Sequence, residues 1–153
     1  MEMLAPMSGL AVPLSSVDDP VFAEGIAGDG VAIVPEAPGG GSAIEVVAPV
    51  SGTLARLFEG GHAFAIEAAG GVEMIVHIGL DTIELKGDGF ELIATEGDLV
   101  EAGQPVVRAD LARIKDAGYD PVTPVVVMNS DEHPVAGHRT GAVKPGDVLY
   151  SVG

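Results

Sequence analysis

The sequence predicts an all-β fold, an antiparallel β-sandwich or barrel, with one short helix. Short segments in which apolar and polar residues alternate recur about every ten residues, as they do in sandwiches and barrels. The 22 Gly and 11 Pro supply turns, and the 47% of apolar residues, few of them aromatic, supply a core of Val, Ile, Leu and Ala. A chain of 153 residues is expected to form a single domain over residues 1–153.

Strands are expected where β-branched and other apolar residues alternate with polar ones between Gly, Pro or Asp. In chain order, these segments are residues 30–35, 43–50, 52–58, 62–68, 71–79, 89–94, 104–110, 123–129 and 147–152. A short helix is expected near residues 110–117, because Asp110 can cap its start and Gly118 can end it. The Pro- and Gly-rich residues 35–42 are expected to form a loop rather than a domain boundary.

A faint internal repeat accompanies this pattern. Residues 5–9, APMSG, recur as APVSG at residues 48–52, and residues 100–106, VEAGQPV, recur more loosely as VKPGDVL at residues 143–149. Because both recurrences have the same offset, they indicate a duplicated β-motif rather than a long array of repeats. Chance recurrence of turn residues is the alternative explanation.

The charge and cysteine content exclude several classes of function. With 23 acidic and 7 basic residues, the formal net charge is −16, which opposes binding to nucleic acid and anionic lipid and favours basic protein partners. Solubility alone is the other explanation of this charge. The chain has no Cys, so disulfides, Cys-based zinc sites and thiol nucleophiles are excluded. No apolar run approaches the ~20 residues that span a bilayer, and the start does not resemble a secretory signal, so a cytoplasmic location without membrane insertion is expected.

Two of the four histidines, His62 and His77, flank a predicted hairpin. If residues 68–71 form a four-residue loop, His62 lies directly opposite His77, and Cβ atoms of opposed residues are about 4.5–5.5 Å apart on the same face. A shift of one residue in the register would put the two side chains on opposite faces. The sequence therefore predicts two imidazoles in contact, provided that this loop length is right.

Three interpretations of such a pair stay open. The histidines could be core packing, although a buried pair must satisfy four ring nitrogens. They could bind zinc, but with no Cys a carboxylate or a partner chain would have to complete the ligands. One imidazole could instead attack phosphorus while the other stabilises the phosphoryl charge. Asp81 follows His77 closely enough to lie near it, whereas His133 and His138 are in a turn-rich stretch and resemble loop residues.

Residues 71–90, GVEMIVHIGLDTIELKGDGF, closely resemble the active-site signature of one protein family. This family is the glucose-type IIA component (EIIA) of the bacterial phosphoenolpyruvate-dependent sugar phosphotransferase system. Residues 21–35, 48–67 and 123–129 are also similar to it, and the resemblance runs in collinear order from residue 4 to residue 152.

The resemblance implies a fold and a reaction. The family fold is an antiparallel β-sandwich with a duplicated hybrid motif, and its members are cytoplasmic phosphocarriers, typically monomers, that need no cofactor. The histidine that matches His77 accepts a phosphoryl group from the phosphohistidine of the carrier protein HPr. It passes the group to a cysteine in the IIB domain of a sugar permease, while the histidine that matches His62 supports the transfer.

The resemblance also implies a partner-binding surface around the two histidines. Its apolar members are Val21, Phe22, Phe58 and Ile75. Its acidic members, Asp19 and Asp81, are implied to meet a basic side chain of HPr. An apolar patch would exclude water from a labile phosphoryl group, and acidic residues at its rim would steer a basic carrier. Core packing is the alternative explanation for Phe22 and Phe58.

Some features separate the rival functions. Gly60 occupies a position where relatives often carry a Thr whose hydroxyl helps to orient a site histidine, so that either this orientation is lost here or another group provides it. A purely regulatory binding protein is one rival, since relatives bind other targets when unphosphorylated. A zinc hydrolase of the lysostaphin type is another, but it needs a His-x-His pair that this sequence lacks. No metal is expected in the isolated chain, although His62 and His77 could share one across a partner interface.

Overall fold

Short antiparallel strands make up most of the fold. The computed structural model describes residues 1–39 and 41–153. The strands are β1 (Glu2–Leu4), β2 (Gly9–Pro13), β3 (Asp29–Pro35), β4 (Ala43–Val47), β5 (Gly52–Leu57), β6 (Ala63–Ala68), β7 (Glu73–His77), β8 (Phe90–Leu92), β9 (Leu99–Val100), β10 (Pro105–Asp110), β11 (Thr123–Val127), β12 (Val135–Ala136), β13 (Gly141–Val143) and β14 (Val148–Val152). The α-helices are α1 (Pro20–Ala23) and α2 (Leu111–Asp116). Short 3-10 turns are formed by Leu14–Ser16, Pro38–Gly40, Ala69–Gly71 and Thr82–Leu85.

The strands form three sheets. The largest has eight strands in the order β13-β2-β3-β11-β7-β6-β5-β9, and two smaller sheets have the orders β1-β14-β12 and β4-β10-β8. Within each sheet, neighbouring strands pair antiparallel. Within the described residues, the large sheet ends at β13 and β9 and does not close into a barrel. The predicted all-β fold is therefore confirmed in its sandwich form.

The core explains why the strand pattern was readable from the sequence. Phe64, Ile66 and Met74 lie on the adjacent strands β6 and β7 and are almost completely buried. Tyr150 of β14 is also buried, and its hydroxyl donates a hydrogen bond of 2.9 Å to the Val125 carbonyl. Burial of apolar side chains of this size stabilises a fold by about 1.5–3 kcal/mol each. Burial alternates along β7 and produces its alternating sequence, whereas β6 and β11 are buried at nearly every position and are mostly apolar throughout.

The nine predicted strands correspond to nine of the strands observed, but five short ones were missed. The missed strands are β1, β2, β9, β12 and β13. The predicted helix is confirmed as α2, where Asp110 accepts a hydrogen bond from the Arg113 backbone N–H at 3.2 Å. The prediction of only one helix is wrong, because α1 forms after Asp19. Asp19 accepts a bond from the Val21 N–H at 2.9 Å, and Pro20 begins the helix.

The hairpin of β6 and β7 differs from the prediction by one residue of register. Ala63, not His62, pairs with His77, so the expected direct opposition of the two histidines is wrong. The turn Ala69–Gly71 closes the hairpin with three residues rather than four, because its two glycines adopt left-handed φ values of 74° and 81°. His62 consequently lies just outside the ladder, where its carbonyl accepts a 2.7 Å hydrogen bond from the Ile78 N–H.

The internal repeat has a structural counterpart in four backbone hydrogen bonds. Ala5 donates its N–H to the Asp147 carbonyl at 2.7 Å, and its carbonyl accepts from Gly146 at 3.2 Å. Its repeat equivalent, Ala48, donates its N–H to the Gln104 carbonyl at 2.9 Å. The Ala48 carbonyl accepts a hydrogen bond of 2.8 Å from the backbone N–H of the residue before Gln104. Each copy of the motif thus pairs the start of one repeat with the end of the other. This exchange supports the duplication.

Candidate functional site

The imidazole of His77 lies at the end of β7 and is held by a carbonyl group. Its Nδ1 lies 2.7 Å from the Gly79 carbonyl oxygen. A carbonyl can only accept, so this bond fixes the proton on Nδ1 and leaves the lone pair on Nε2. Gly79 has a φ of 81°, and a Cβ there would lie 3.0 Å from the Asp120 carbonyl oxygen and 2.5 Å from the Thr82 side chain. Glycine therefore permits the turn that presents the carbonyl to His77.

His62 is buried beside His77. The two rings have centroids 5.4 Å apart and an interplanar angle of 72°. The chain bends at His62, directly after Gly60 and Gly61, which have φ values of 89° and 93°. His62 and His77 are not directly opposite each other in the ladder, and this bend is what brings their rings into contact.

Two phenylalanines extend this contact on either side. The ring of Phe22, from α1, has its centroid 5.5 Å from that of His77, and Phe58 has its centroid 5.6 Å from that of His62. The guanidinium of Arg56 lies 4.3 Å above the Phe58 ring centroid. Aromatic contacts and cation–π contacts of this geometry each stabilise by about 0.5–1.5 kcal/mol. The two imidazoles are therefore the middle members of a continuous series of tilted and edge-to-face aromatic contacts.

A cleft of about 440 Å³ opens beside His77. We call it the His77 cleft. Five of the residues that the sequence implied for a partner surface line it. They are Asp19, Val21, Phe22, Ile75 and Asp81. The sixth, Phe58, lies on the other side of the histidine pair, beside His62.

The sequence reasoning missed two exposed apolar residues of this cleft. Ile83 is 58% exposed and Met128 is 41% exposed, and both line the His77 cleft. Ile83 lies in the 3-10 turn Thr82–Leu85, and an exposed isoleucine between polar residues in a turn is a signal that could have revealed it.

The backbone is strained at both ends of the same 3-10 turn. Asp81 and Lys86, which cap it, have φ values of 60° and 51°. A non-glycine residue in this left-handed region costs roughly 1–2 kcal/mol, and such residues are concentrated at functional sites. The turn that carries Ile83 is thus held in its position at an energetic cost.

The surroundings of the two imidazoles favour their neutral forms. Burial lowers the pKa of His77 below its ordinary value of 6.5, although its bond to the Gly79 carbonyl and the charges of Asp19 and Asp81 oppose this. Burial lowers the pKa of His62 as well, and charge repulsion by His77 lowers it further. A hydrogen bond with the Glu59 backbone acts in the opposite direction and raises it. Neutral His77 keeps the lone pair that a nucleophile requires.

The other ionisable groups do not converge on a metal centre. Among residues 1–39 and 41–153, no group of three His, Asp or Glu side chains is arranged to hold a metal ion. His138 Nε2 lies 2.8 Å from Asp29 Oδ1, and His133 Nδ1 lies 3.3 Å from the Gly153 carbonyl oxygen, so both lie apart from the pair. In the same described residues, no helix has the length and apolarity needed to cross a membrane.

Comparison with known proteins identifies the family. Residues 1–133 match the family model described as phosphoenolpyruvate-dependent sugar phosphotransferase system, EIIA 1. The chain therefore belongs to the EIIA 1 family of this phosphotransferase system. Membership of this family assigns the chain a role in sugar transport by the phosphotransferase system.

Relatives of the glucose and glucoside type resemble the chain over nearly all its length. It is 42% identical over 147 residues to the glucose-specific EIIA component of Haemophilus influenzae. This alignment covers 96% of this chain and 85% of that relative. It is 39% identical over 148 residues to the glucoside-specific EIICBA component of Staphylococcus carnosus, covering 97% of this chain but only 20% of that longer protein. The structure of glucose permease IIA from Mycoplasma capricolum matches with a TM-score of 0.88 and 38% identity, over 98% of this chain and 94% of that one.

Proposed function

We propose that this chain is a phosphocarrier that accepts a phosphoryl group on His77 from the phosphohistidine of HPr. It then passes the group to a cysteine of the IIB domain of a sugar permease. The observation that carries the proposal is the bond between His77 Nδ1 and the Gly79 carbonyl, because it leaves Nε2 as the nucleophile. The names of longer relatives, such as the EIICBA component of Staphylococcus carnosus, support a IIB domain as the acceptor.

The transfer balances as an in-line exchange between two nitrogen atoms. The Nε2 lone pair of His77 attacks phosphorus while the P–N bond to the donor histidine breaks, and the donor imidazole keeps that electron pair. Positive charge grows on the His77 ring, and the Nδ1–H bond to the Gly79 carbonyl stabilises it. In the second transfer, a cysteine thiolate attacks phosphorus, and the electron pair of the P–N bond returns to Nε2.

His62 has a supporting role in this scheme. With its ring centroid 5.4 Å from that of His77, it is near enough to donate a hydrogen bond to an oxygen of the phosphoryl group on Nε2. Its burial limits movement of the ring and excludes water from one side of the phosphoryl group.

The surroundings suit a protein partner. Exposed Val21, Ile83 and Met128 offer apolar surface in the His77 cleft. Asp19 and Asp81 line the same cleft and would steer a basic carrier toward it. We place the reaction in the cytoplasm, as the resemblance to cytoplasmic phosphocarriers implies. Binding of regulatory targets by the unphosphorylated chain is a separate hypothesis, which pull-downs before and after phosphorylation would test.

Phosphoryl transfer from phosphoenolpyruvate tests the proposal directly. The chain is mixed with phosphoenolpyruvate, enzyme I and HPr, and its intact mass is measured. We expect one acid-labile phosphoryl group that requires HPr, is absent in His77→Ala and is retained in the control His138→Ala. In His62→Ala, we expect the first transfer to survive and the transfer to the IIB domain to fail. Phosphorylation of His77→Ala at the normal rate would refute the proposal.

A further inference from the structure

The His77 cleft carries negative charge beside the reactive histidine. Apart from His77 itself, the ionisable residues that line it are Asp19 and Asp81, and its other lining residues are apolar. Asp19 caps α1, whose Phe22 ring contacts the His77 ring, and Asp81 follows His77 by four residues. Both carboxylates therefore share one cleft with the ring that would carry a phosphoryl group.

Neither carboxylate is neutralised by a basic group of the chain. Within residues 1–39 and 41–153, the salt bridges lie elsewhere and involve neither Asp19 nor Asp81. Their charges nevertheless reach His77. Burial lowers the pKa of His77, whereas the charges of Asp19 and Asp81 act to raise it, because they favour positive charge on the ring. The same charges must disfavour a negative group that is attached to this ring.

The local structure does not require a carboxylate at either position. Asp19 accepts a 2.9 Å hydrogen bond from the Val21 N–H, and Asn caps a helix equally well. Asp81 has a φ of 60°, and its side chain does not cap the 3-10 turn that it precedes. Asn adopts this conformation as readily as Asp does, and Gly adopts it more readily. The two negative charges are therefore better explained by the site than by the backbone.

Phosphorylation adds further negative charge to this cleft. In the transfer, the P–N bond to the donor histidine breaks, the donor ring keeps the electron pair, and a PO₃⁻ unit becomes bonded to Nε2 of His77. The chain thus gains a negative charge in a cleft that already contains Asp19 and Asp81. Like charges repel, and the apolar lining of the cleft weakens screening by water, so the repulsion raises the free energy of the phosphorylated state.

We infer that Asp19 and Asp81 raise the phosphoryl-transfer potential of phosphorylated His77, so that the chain passes the group on rather than storing it. They act by their charge on the phosphohistidine itself, in addition to steering a basic carrier. The repulsion is strongest when no partner covers the cleft, because the basic group of a docked carrier would neutralise the carboxylates. This inference rests on the proposed function and adds a driving force for the second transfer.

Steering and transfer potential can be measured separately. Contacts that exist only within the complex with HPr change the forward and reverse transfer rates by the same factor, so they leave the overall equilibrium unchanged. Repulsion of the phosphoryl group persists in the free phosphorylated chain and shifts that equilibrium. The equilibrium constant for exchange of the phosphoryl group between HPr and the chain therefore reports the inferred role and not the steering.

The test measures this equilibrium constant. Purified phospho-HPr, free of enzyme I and phosphoenolpyruvate, is mixed with the chain, and all species are quantified by intact mass at alkaline pH. Asp19→Asn/Asp81→Asn removes both charges from the cleft, and Asp116→Asn/Asp131→Asn removes the same charge elsewhere on the surface. We expect the equilibrium to shift toward the phosphorylated chain by about threefold in each single cleft variant and by about tenfold in the double one. The control should stay within about twofold of the wild type.

A second variant guards against a local folding defect. Asp19→Ser/Asp81→Gly removes the same charges but keeps a capping oxygen and a residue that tolerates a left-handed conformation. It should shift the equilibrium in the same direction, and both shifts should become smaller at high salt. A wild-type equilibrium constant in both double variants would overturn the inference. So would an equal shift in the surface control, since the net charge rather than the cleft would then be responsible.

The proposed function fails separately. If the wild type accepts a phosphoryl group from phospho-HPr and the cleft variants have the wild-type equilibrium constant, only the inference about Asp19 and Asp81 is lost. If the wild type accepts no phosphoryl group from phospho-HPr, the phosphocarrier role is lost and this inference is lost with it.

Discussion

His62 and His77 bring their ring centroids within 5.4 Å of each other although their backbones are not paired in the ladder. In a regular hairpin with this register, their side chains would point to opposite faces. The bend at His62, after two glycines with positive φ, turns its ring back toward His77. The pair thus depends on the conformation of a turn as much as on the strands, and this dependence can be tested.

Replacing Gly60 should disturb that turn. A Cβ at Gly60 would lie 2.9 Å from the Gly87 backbone nitrogen, and the φ of Gly60 is 89°. Gly103 has a φ of 90°, and no atom lies within 4 Å of the position that its Cβ would take, so it is the matched control. We expect Gly103→Ala to lower the free energy of unfolding by about 1 kcal/mol and Gly60→Ala by about 2 kcal/mol or more, measured by urea unfolding.

The same Gly60→Ala variant should also transfer phosphoryl groups more slowly, because the displaced turn carries His62. Equal stability of the two alanine variants would show that the contact between Gly60 and Gly87 imposes no constraint. Equal transfer rates would show that the orientation of His62 does not depend on it.

The stability of the fold should decrease as the pH decreases, because the two site histidines titrate. Burial lowers the pKa of both rings below the ordinary 6.5, so the unfolded chain takes up protons before the folded chain does. Their contribution is complete above about pH 6.5 and is lost as the pH falls through the folded pKa values. Melting between about pH 7 and pH 5 should therefore be less pH-dependent in His62→Gln/His77→Gln than in the wild type.

Truncation of Ile83 should weaken partner binding without affecting the fold. Ile83 is 58% exposed, so Ile83→Ala should change the free energy of unfolding by no more than about 0.5 kcal/mol. Leu99 is 82% exposed on β9, at the end of the large sheet, and Leu99→Ala is the matched control. Titration with HPr should show weaker binding for Ile83→Ala alone. Equal losses in both variants would remove Ile83 from the partner surface.

Removal of the Tyr150 hydroxyl should destabilise the fold without altering phosphoryl transfer. This buried hydroxyl donates to the Val125 carbonyl at 2.9 Å, and the loss of such a bond costs about 1 kcal/mol. Tyr119→Phe, at a half-buried tyrosine, should cost less. Thermal unfolding and the phosphorylation assay together test this, and a slower transfer in Tyr150→Phe would connect β14 to the site.

Regular strands with a buried face could be predicted from the sequence because burial imposes its own period. Met74 and Val76 are buried on β7, and Ile75 between them is only half-buried, which is the alternation that reveals a strand. Strands as short as β9 and β12 contain too few residues to show a period. Helix α1 has only four residues, so its start signal at Asp19 and Pro20 was not followed by a helical pattern.

The register of the hairpin could not be predicted, because three-residue and four-residue loops both suit the segment AAGG. The choice depends on the φ values that its glycines adopt. The histidine pair was nevertheless found from its position at the hairpin ends. Arg56, Ile83 and Lys86 were missed because their positions depend on turns and on strand ends, which leave no periodic signal.

The exchange of hydrogen bonds between the two repeats has a consequence for biosynthesis. Ala5 finds its partners in Gly146 and Asp147, and β1 pairs with β14, so the first strand of the chain must wait for the last to be made. Most of this chain must therefore have emerged from the ribosome before its sheets can be completed. We expect a nascent chain that ends before β14 to be readily cleaved by protease, and resistance to appear only when the final strand has emerged.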